Sequence, residues 1–476
     1  MIISENFPYD NEFFSIFEAL CKIPHGSGNT ENIARFCADF ARKNGCEAVI
    51  DQVGNVIIRK PAGKDYENST PVIIQGHLDM VCEKMPESNH DFIRDPLNLK
   101  YDGKYIYAEN TTLGGDDGIA VAYALALIKE ETPIPPLEIL LTSDEETGLN
   151  GAFGLDGSML TGKRLINLDS EEEGVMLCGC AGGLTAKVTA EMPEFNADGI
   201  AVKIKLSGLA GGHSGVEIHK NRLNAAKAMA RLLASAGTEL RLVSFDGGSK
   251  NNAIPCNCIA EVFVTDKNAD NFINNIKAEF EIIKCKIANT DDKPVLEISR
   301  TVSHGLALSV NDSIKVLEYL CNVPDGVIKT GDTGVITSLN TGISTYKKGR
   351  FYSEALIRSM ENNDLNIIAE KVRETAAKFE FCFDGTDRYP AWEYRKASPL
   401  RERMIAVYEK MYGKKPVTGT IHAGLECGII SDKIAGMDAV SIGPDILDVH
   451  TVNERLDAES AVRVWQYLLE LLKSMK

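Results

Sequence analysis

The chain has 476 residues, of which 44% are hydrophobic and 25% are charged, and its formal net charge is −17. This composition is ordinary for folded globular protein and excludes disorder as the default, while the length favours two domains. The negative charge disfavours nucleic acid as a partner, because phosphate binding requires clustered Lys and Arg.

Neither an export signal nor a membrane span is expected. The start of the sequence lacks a basic region followed by an apolar one, and no segment approaches the roughly 18 consecutive apolar residues of a membrane span. The twelve cysteines are dispersed, so we expect reduced thiols in a cytoplasmic protein. Neither Cys178/Cys180 nor Cys256/Cys258 has a second pair nearby in sequence to complete a four-ligand zinc site.

The first 180 residues alternate helices and strands. Helical spacing predicts helices at 11–20, at 30–42 with Thr30 as N-cap, and at 118–129. Short apolar runs, which are typical of buried parallel strands, occur at 72–74, 137–141 and 165–168. This order of elements predicts an α/β domain.

The region from about residue 184 to 383 has a different pattern. Its strands alternate apolar and polar residues, as at 202–206 and 259–264, which is typical of a half-exposed antiparallel sheet. A weak internal repeat of strand, helix, further strands and helix occurs twice. Its predicted helices are at 221–234 and 269–283 in the first copy, and at 312–320 and 364–379 in the second. Two copies of one small layer would suit an inserted lid domain.

After about residue 392 the α/β pattern returns, with helices at 400–411 and 458–473 and a strand at 439–443. We therefore predict a mixed, mainly parallel α/β domain with helices on both faces, interrupted by an α+β lid of two similar halves. The predicted boundaries are 1–184 and 389–476 for the α/β domain and 185–388 for the lid.

Acidic and imidazole side chains gather at the ends of predicted strands or at the start of the 118–129 helix. They are His77 with Asp79, Asp116 with Asp117, Glu145 with Glu146, and Asp169. Ligand sites in open α/β sheets lie at the carboxyl ends of the strands. Acids gathered there would repel one another, and a divalent cation is the usual remedy. Each pair alone is commonly a solvated surface feature, so only the joint pattern indicates a metal site.

In their order along the chain, these segments resemble the M20 family of metallopeptidases, and within it the aminoacyl-histidine dipeptidase branch. The resemblance covers essentially the whole chain and also implies an inserted lid. It rests on QGHLDMV at 75–81, TTLGGD at 111–116, DEETG at 144–148, NLDSE at 167–171, GCAGG at 179–183, GGHSG at 211–215 and IHAGLECG at 421–428.

The resemblance implies two zinc ions, for which cobalt or manganese can substitute. Asp116 would bridge the ions, with His77 and Asp169 on one ion and Glu146 and His450 on the other. Mixed nitrogen and oxygen ligation with open positions suits catalytic zinc. The local sequence around His450 does not mark it as a ligand, so this assignment depends on the resemblance.

The resemblance also gives roles to two further acids. Asp79 would accept the imidazole N–H of His77 and fix the tautomer that binds metal. Glu145 would be the general base for a hydroxide that bridges the ions. Adjacent strand-end side chains point apart, so one glutamate of the pair could bind metal while the other faces the water. The branch commonly has Asn in place of Asp117, whose extra charge could compete for metal or tune its affinity.

Three residues of the predicted lid complete the implied site. His213, in a glycine-rich turn, would stabilise the oxyanion and often reaches into the partner subunit's site in this family, which implies a homodimer through the lid. Arg358 and Asn252 are the candidates for binding the free carboxylate of a short peptide, because a planar guanidinium binds carboxylate through two parallel hydrogen bonds. His422 and Glu426 lie in a branch-typical stretch but receive no role.

We therefore expect hydrolysis of dipeptides with free termini, including Xaa-His dipeptides such as β-alanyl-histidine. The alternative within the family is a deacylase or carboxypeptidase that acts on N-acyl amino acids; the stretch at 421–428 and the doubled lid favour the dipeptidase. An alternative from another class is a non-catalytic metal-binding protein. Asp79 and Glu145 argue against it, because metal storage requires neither. The expected partners are a dipeptide and a second copy of the chain, with neither nucleic acid nor membrane.

Overall fold

The computed structural model describes residues 7–287, 290, 292–331 and 334–476, and these divide into two compact units. Unit 1 comprises the described residues up to Cys180, together with Tyr394–Thr420 and Leu425–Lys476. Unit 2 comprises Ala181–Glu393 and Ile421–Gly424. The insertion predicted at 185–388 thus lies within the longer segment of unit 2.

The secondary structure alternates in unit 1 and is richer in strands in unit 2. The helices are α1 Glu12–Leu20, α2 Glu31–Lys43, α3 Gly115–Lys129, α4 Asn150–Gly154, α5 Ala225–Ala234, α6 Asp266–Lys286, α7 Val310–Asn322, α8 Asn362–Lys378, α9 Pro399–Tyr412, α10 Glu426–Lys433 and α11 Ala458–Lys473. The strands up to the middle of the chain are β1 Glu47–Ile50, β2 Val56–Lys60, β3 Val72–His77, β4 Leu99–Tyr101, β5 Tyr105–Ala108, β6 Leu137–Thr142, β7 Arg164–Asn167, β8 Val175–Cys180, β9 Gly182–Glu191, β10 Glu194–Ser207 and β11 Arg241–Gly247. The later strands are β12 Cys258–Val264, β13 Val295–Leu308, β14 Gly326–Gly331, β15 Gly334–Lys347, β16 Arg350–Ser359, β17 Cys382–Tyr389, β18 Val417–Ile421, β19 Asp438–Ser441, β20 Ile446–Leu447 and β21 Arg455–Asp457. In the part of the chain that is described, no helix has the length and apolar character that crossing a membrane requires.

The main sheet of unit 1 has the strand order β1-β2-β6-β3-β7-β19-β8-β18. Its centre is parallel, since β3 pairs in parallel with β6 and β7, and β19 with β7. Strands β1, β2 and β8 add antiparallel pairs. Every residue of β3 and β6 is buried, as expected of strands covered on both faces. The predicted mixed, mainly parallel α/β class is confirmed.

Helix α3 is the central helix of unit 1 and is buried from its first residue to Ile128. A helix that is apolar on all sides belongs in a core, and α3 packs against β3 and α1. The ring of Tyr123 in α3 contacts those of Phe13 and Trp465, with centroid distances of 4.9 and 5.8 Å. This aromatic contact ties α3 to α1 and α11.

Two local predictions at helix starts need correction. Thr30 precedes α2, but its side chain accepts no capping hydrogen bond and its backbone is helical (φ −92°, ψ −5°), so the predicted N-cap is wrong. Helix α3 starts at Gly115 rather than 118, although Asp116 and Asp117 depart from helical dihedral angles. The regular part of α3 therefore begins close to the predicted residue, and the two acids lie in its irregular start.

Unit 2 is built on an antiparallel sheet with the strand order β13-β10-β12-β11-β15-β16-β9-β17, and β14 pairs with β15. The element order β10-α5-β11-β12-α6 is followed by β13-α7-β14-β15-β16-α8, which agrees with the predicted internal repeat. Apolar side chains of these helices and of the sheet form one core. Strand β11 was not predicted, and β12 begins at Cys258, one residue before the strand predicted at 259–264.

Candidate active site

The parallel strands β3, β6 and β7 end at the same edge of the sheet of unit 1. His77 is the last residue of β3 and lies opposite Thr142, the last residue of β6. Asp169 follows β7, and Glu145 and Glu146 follow β6 in a loop. The strand register therefore brings together side chains from three separate segments, as the sequence pattern predicts.

Close packing of α3 on β3 adds the fourth segment. A Cβ at Gly76 would lie 2.5 Å from Asp117 Oδ2 and 2.7 Å from Ala120 Cβ, so only glycine allows this approach. Asp117 Oδ2 accepts the backbone N–H of His77 at 3.1 Å, and the Asp116–Asp117 peptide bond is cis. Asp117 belongs to none of the candidate metal groups found among the described residues. It holds the backbone of His77 and leaves Asp116 facing the site.

The two carboxylate oxygens of Asp116 face two different histidines. Asp116 Oδ1 lies 3.0 Å from His77 Nε2, and Asp116 Oδ2 lies 3.1 Å from His450 Nε2. His77 Nε2 is also 3.7 Å from Asp169 Oδ1, and His450 Nε2 is 2.9 Å from Glu146 Oε1. Two candidate ligand groups thus share Asp116, and within each group the ligand atoms lie within 4.8 Å of one another. The five predicted ligands lie together, divided as the resemblance implies.

Glu145 and Glu146 both face this site. Their carboxylate oxygens lie within 4.8 Å of one another and of a ring nitrogen of His77. Strand β6 ends at Thr142, so the predicted alternation of strand side chains does not apply to these residues. The predicted divergence of the two side chains is wrong: both glutamates lie in a loop after β6, in which Asp144 has φ 50°, and both face the same side.

Asp79 orients His77 through its main chain and holds the glutamate loop through its side chain. His77 Nδ1 lies 2.9 Å from the carbonyl oxygen of Asp79 and 3.5 Å from Asp79 Oδ1. A carbonyl oxygen only accepts, so Nδ1 donates and Nε2 is left to face Asp116. The Asp79 carboxylate accepts the backbone N–H groups of Glu145 and Glu146 at 2.9 and 3.2 Å.

Buried acids dominate the electrostatics of this edge. Burial raises the pKa values of Asp117, Glu145 and Asp169 well above their ordinary range, and neighbouring acids contribute in the same direction. Burial and the charge of Asp116 also raise the pKa of Glu171 to about 7. Such a set of acids demands positive charge, which a divalent cation supplies.

The two histidines respond to the same acids. Burial opposes protonation of His77, but hydrogen bonds with Asp116 and Asp79 raise its pKa well above the usual value. Hydrogen bonds with Asp116 and Glu146 raise the pKa of His450 to about 11. Metal ions bound to these nitrogens would replace the protons. The donor set, with imidazole nitrogens, carboxylate oxygens and one shared carboxylate, fits two divalent ions such as zinc.

A buried hydrogen-bond network below the site was not predicted. Glu426 Oε2 accepts hydrogen bonds from Gln75 Nε2 at 2.6 Å and from Thr142 Oγ1 at 2.5 Å. Asn167 Nδ2 donates to Gln75 Oε1 at 2.6 Å. One carboxylate of α10 thereby joins the ends of β3, β6 and β7. The branch-typical stretch at 421–428 was the only sequence signal for Glu426.

Unit 2 contains a cluster of hydrogen-bond donors around Arg358. This guanidinium is 6% exposed, its Nη1 donates to Tyr389 Oη at 3.0 Å, and its buried Nε has no hydrogen-bond partner among the described residues. His422 Nε2 lies 2.8 Å from Ser338 Oγ. Burial and the charge of Arg358 lower the pKa of His422 to about 4, and they also lower the pKa of His213. The cluster therefore pairs one permanent cation with neutral imidazoles.

The turn that carries His213 fixes the orientation of the imidazole. His213 Nδ1 accepts the backbone N–H groups of Gly215 and Val216, both at 3.2 Å. Neutral His213 therefore carries its proton on Nε2, where it can donate a hydrogen bond. Asn252 is exposed, and its carbonyl oxygen accepts the N–H of Ser214 at 2.8 Å, so it lies beside the same turn.

The cysteines are separate from these ligand groups. All twelve are free thiols, and within the described part of the chain none belongs to a candidate metal group.

Comparison with known proteins places this chain in a family. Residues 73–474 match the sequence profile of Peptidase family M20/M25/M40. The chain belongs to this family and is a peptide hydrolase.

Within the family the chain is similar to dipeptidases. It is 37% identical over 470 residues to the cytosol non-specific dipeptidase of Escherichia coli, with 97% of each chain covered. The crystal structure of the aminoacylhistidine dipeptidase from Vibrio alginolyticus is 34% identical, has a TM-score of 0.89 and covers 98% of this chain and 96% of that one. The aminopeptidase PepT of Bacillus cereus, at 17% identity and a TM-score of 0.56 over 98% of each chain, shares the fold.

Proposed function

We propose that the chain hydrolyses dipeptides with free termini, including Xaa-His dipeptides such as β-alanyl-histidine, with two zinc ions in unit 1. The observation that carries this proposal is the position of Asp116, which presents one oxygen to His77 and the other to His450. The names of the relatives from Escherichia coli and Vibrio alginolyticus, a non-specific dipeptidase and an aminoacylhistidine dipeptidase, support the substrate class.

The ligand groups define which residues would hold each ion. His77, Asp116 and Asp169 would hold one, and Asp116, Glu146 and His450 the other. When bound, the ions would supply Lewis acidity that activates water and polarises the scissile carbonyl. Cobalt or manganese would bind the same donors, since imidazole and carboxylate ligands accept several first-row divalent metals.

Glu145 is the proposed general base. Burial and neighbouring acids raise its pKa well above the usual value, which makes this carboxylate a stronger proton acceptor than an ordinary glutamate. Asp79 holds the backbone N–H of Glu145 at 2.9 Å and so fixes the loop that carries it. Glu145 would take a proton from the attacking water and pass it to the leaving amine, which completes cleavage of the peptide bond.

The donors of unit 2 are proposed to bind the parts of the substrate that carry negative charge. Nε2–H of His213 would donate to the carbonyl oxygen as it becomes an oxyanion. Arg358 would bind the substrate's C-terminal carboxylate, with Asn252 as an additional amide contact. A buried guanidinium whose Nε has no hydrogen-bond partner among the residues that the structure describes suits this role, because a buried cation gains most from an anionic ligand.

We also propose that the chain acts in the cytoplasm as a homodimer formed through unit 2, in which His213 serves the partner subunit's site. Mixing His213→Ala and Asp79→Ala chains tests this, because one site of a mixed dimer then has both groups intact. Partial recovery of activity is expected. Verified mixed dimers without recovery would show that His213 acts within its own chain.

The substrate class is tested by kcat/KM of the zinc-loaded enzyme on matched free, N-acetylated and C-amidated dipeptides. Free dipeptides should be cleaved fastest. A blocked terminus leaves the buried charged group of the enzyme that would bind it without a partner, which costs several kcal/mol. Tripeptides should react hardly at all. Faster cleavage of the acetylated member would favour the deacylase alternative. Binding of two ions without hydrolysis of any member would favour the non-catalytic alternative.

A further inference from the structure

A buried carboxylate outside both ligand groups holds the loop that presents Asp116. Glu454 is 3% exposed and accepts four consecutive backbone N–H groups. Its Oε2 accepts those of Leu113 at 2.7 Å and Gly114 at 3.0 Å, and its Oε1 accepts those of Gly115 at 2.8 Å and Asp116 at 3.2 Å. The last of these donors is the backbone of the shared ligand itself.

The loop at 113–116 is shaped to offer these four donors. Gly114 has φ +66°, a left-handed conformation that glycine adopts without strain and that turns successive N–H groups to one side. The N–H groups at the start of a helix have no partner within the helix, and they favour negative charge. In α3 these groups are satisfied by Glu454 from a distant part of the chain.

Glu454 also belongs to the segment that carries His450. The segment runs between β20 and β21, and the backbone N–H of Glu454 donates to the carbonyl oxygen of Thr451 at 3.1 Å. Asp448 and His450 have φ +54° and +61°, a left-handed conformation that non-glycine residues keep only where the surrounding structure holds them in it. The His450 side chain is 47% exposed, so its position depends on its own loop more than on packing.

We propose that Glu454 is a positioning residue for the metal centre, because it joins the loop of Asp116 to the loop of His450 and sets the spacing of their facing atoms. This inference rests on the proposed metal site. Glu454 lies beyond the ligand shell and acts on it through two backbone segments. The ion held by Asp116, Glu146 and His450 should depend on it most, because His77 and Asp169 are fixed by the ends of buried strands.

The test is Glu454→Gln, which keeps the size of the side chain but leaves one acceptor oxygen for four donors. The expected result is that the dissociation constant of one zinc ion rises about 10–100-fold, as is typical when a group that orients metal ligands is lost, while the other ion is retained. Zinc content and affinity are measured by equilibrium dialysis in zinc buffers. Activity should recover when zinc is raised to saturation, and KM should change less than the zinc requirement.

Glu138→Gln is a matched control in the same unit. Glu138 is 4% exposed and its carboxylate also accepts backbone N–H groups, from Thr161 at 3.0 and 2.9 Å and from Gly162 at 2.8 Å, but that loop carries no candidate ligand. Both variants should lose stability, and only Glu454→Gln should lose zinc affinity. Equal zinc affinity in the wild type and Glu454→Gln would overturn the proposal, as would an equal loss of affinity in both variants.

Two further outcomes are separable. If Glu454→Gln does not fold, Glu454→Asp keeps the charge and shortens the reach by one methylene; weaker binding of one ion supports the proposal and wild-type affinity for both overturns it. If the wild type itself binds no zinc, the proposed metal function fails and this inference fails with it. Wild-type protein with two ions and an unchanged Glu454→Gln variant would reject the role of Glu454 alone.

Discussion

The ligand edge of unit 1 and the Arg358 cluster of unit 2 are opposite kinds of binding surface. At the first, buried carboxylates outnumber imidazoles, and hydrogen bonds with those acids raise the pKa values of the histidines. At the second, the Nε of a buried guanidinium has no hydrogen-bond partner within the described part of the chain, and burial together with that positive charge keeps His422 neutral. Acid-rich surfaces of this kind bind cations, and surfaces rich in N–H donors bind anions.

The two surfaces also arise differently from the sequence. Most acids of unit 1 follow the ends of parallel strands, where the register places them together, and the start of α3 adds Asp116 and Asp117. The donors of unit 2 come from β16, from the turn at 211–215 and from the short segment Ile421–Gly424. The sign of the charge in each cluster therefore predicts the charge of its ligand. Whether a cluster can be predicted from the sequence depends on whether regular strands bring its residues together.

Removal of the cation should have the largest effect. Dialysis against a chelator should abolish hydrolysis, because the acids of unit 1 then hold no Lewis acid, and added zinc, cobalt or manganese should restore it. The thermal unfolding temperature should fall as well, since an ion that binds only the folded state stabilises it. Metal analysis and a dipeptide assay check this. Full activity in protein with only trace metal would contradict the metal assignment.

Glu145→Gln should separate catalysis from metal binding at the same edge. We expect kcat to fall by about 10²–10⁴-fold because the general base is lost, with both ions retained. The same substitution at the neighbouring residue, Glu146→Gln, should instead weaken metal binding. Zinc content and kcat are measured on both variants. Near-wild-type turnover in Glu145→Gln would show that another group accepts the proton.

Arg358→Ala should test the anion side of the comparison. Loss of a buried charge pair with the substrate carboxylate should cost about 2 kcal/mol or more, which is roughly 30-fold in kcat/KM for free dipeptides. The kcat/KM for the C-amidated analogue should fall much less. The ratio of kcat/KM between the free and the amidated dipeptide should therefore decrease. Arg350→Ala is the control, because Arg350 is exposed on the same strand and pairs with Glu191. Equal losses on both substrates would remove Arg358 from carboxylate recognition.

Acidification should destabilise unit 2 through His422. Its pKa is about 4 in the folded chain and lies near 6.5 in an unfolded one, so between these values the unfolded state binds more protons. This contribution to stability is present above about pH 6.5 and decreases as pH falls, by at most about 1.4 kcal/mol per pH unit. The His422→Gln variant should lack this contribution, so its free energy of unfolding should decrease less as the pH falls.

Tryptophan fluorescence can follow this effect in unit 2 alone. Trp392 belongs to unit 2 and Trp465 to unit 1, and both are buried. In a Trp465→Phe background, the urea midpoint reported by Trp392 is measured from pH 7 to 5 with and without His422→Gln. If the urea midpoint changed equally with pH in the two proteins, the acid sensitivity would come from groups other than His422.

Asp117→Asn should have the smallest effect. The amide oxygen can still accept the N–H of His77, so activity should stay within a few-fold of the wild type. Asp117→Ala leaves the buried N–H of His77 without this acceptor and should cost about 1–3 kcal/mol, or roughly fivefold to 100-fold, in metal affinity or rate. Zinc affinity and kcat/KM of both variants are compared. A large loss in Asp117→Asn would show that the negative charge itself is required.

The sequence predicted the fold of unit 1 and the gathering of acids because both depend on local patterns. Apolar runs identified β3, β6 and β7, and the side chains that follow them had to meet at one edge. The predicted helix at 458–473 coincides with α11 for the same reason, since its apolar positions repeat with the helical period.

Residues that act through distant partners could not be predicted in this way. Glu426 bonds to Gln75 across 351 positions, and Glu454 bonds to Leu113 across 341, so no local spacing marks either one. His450 lies in an irregular segment and was assigned only through the family resemblance. The strand geometry assumed for Glu145 and Glu146 was wrong, because both residues lie in a turn after β6.

The position of β19 between β7 and β8 has a consequence for how the enzyme is made. During translation, β7 leaves the ribosome long before residues 438–441, and at about 5–20 residues per second the interval is on the order of tens of seconds. The edge of β7 stays unpaired throughout that time, and His450 emerges later still. Most of unit 2 is contiguous in the nascent chain and can fold during this interval. The nascent peptidase therefore cannot complete its metal centre until nearly the whole polypeptide has been synthesised.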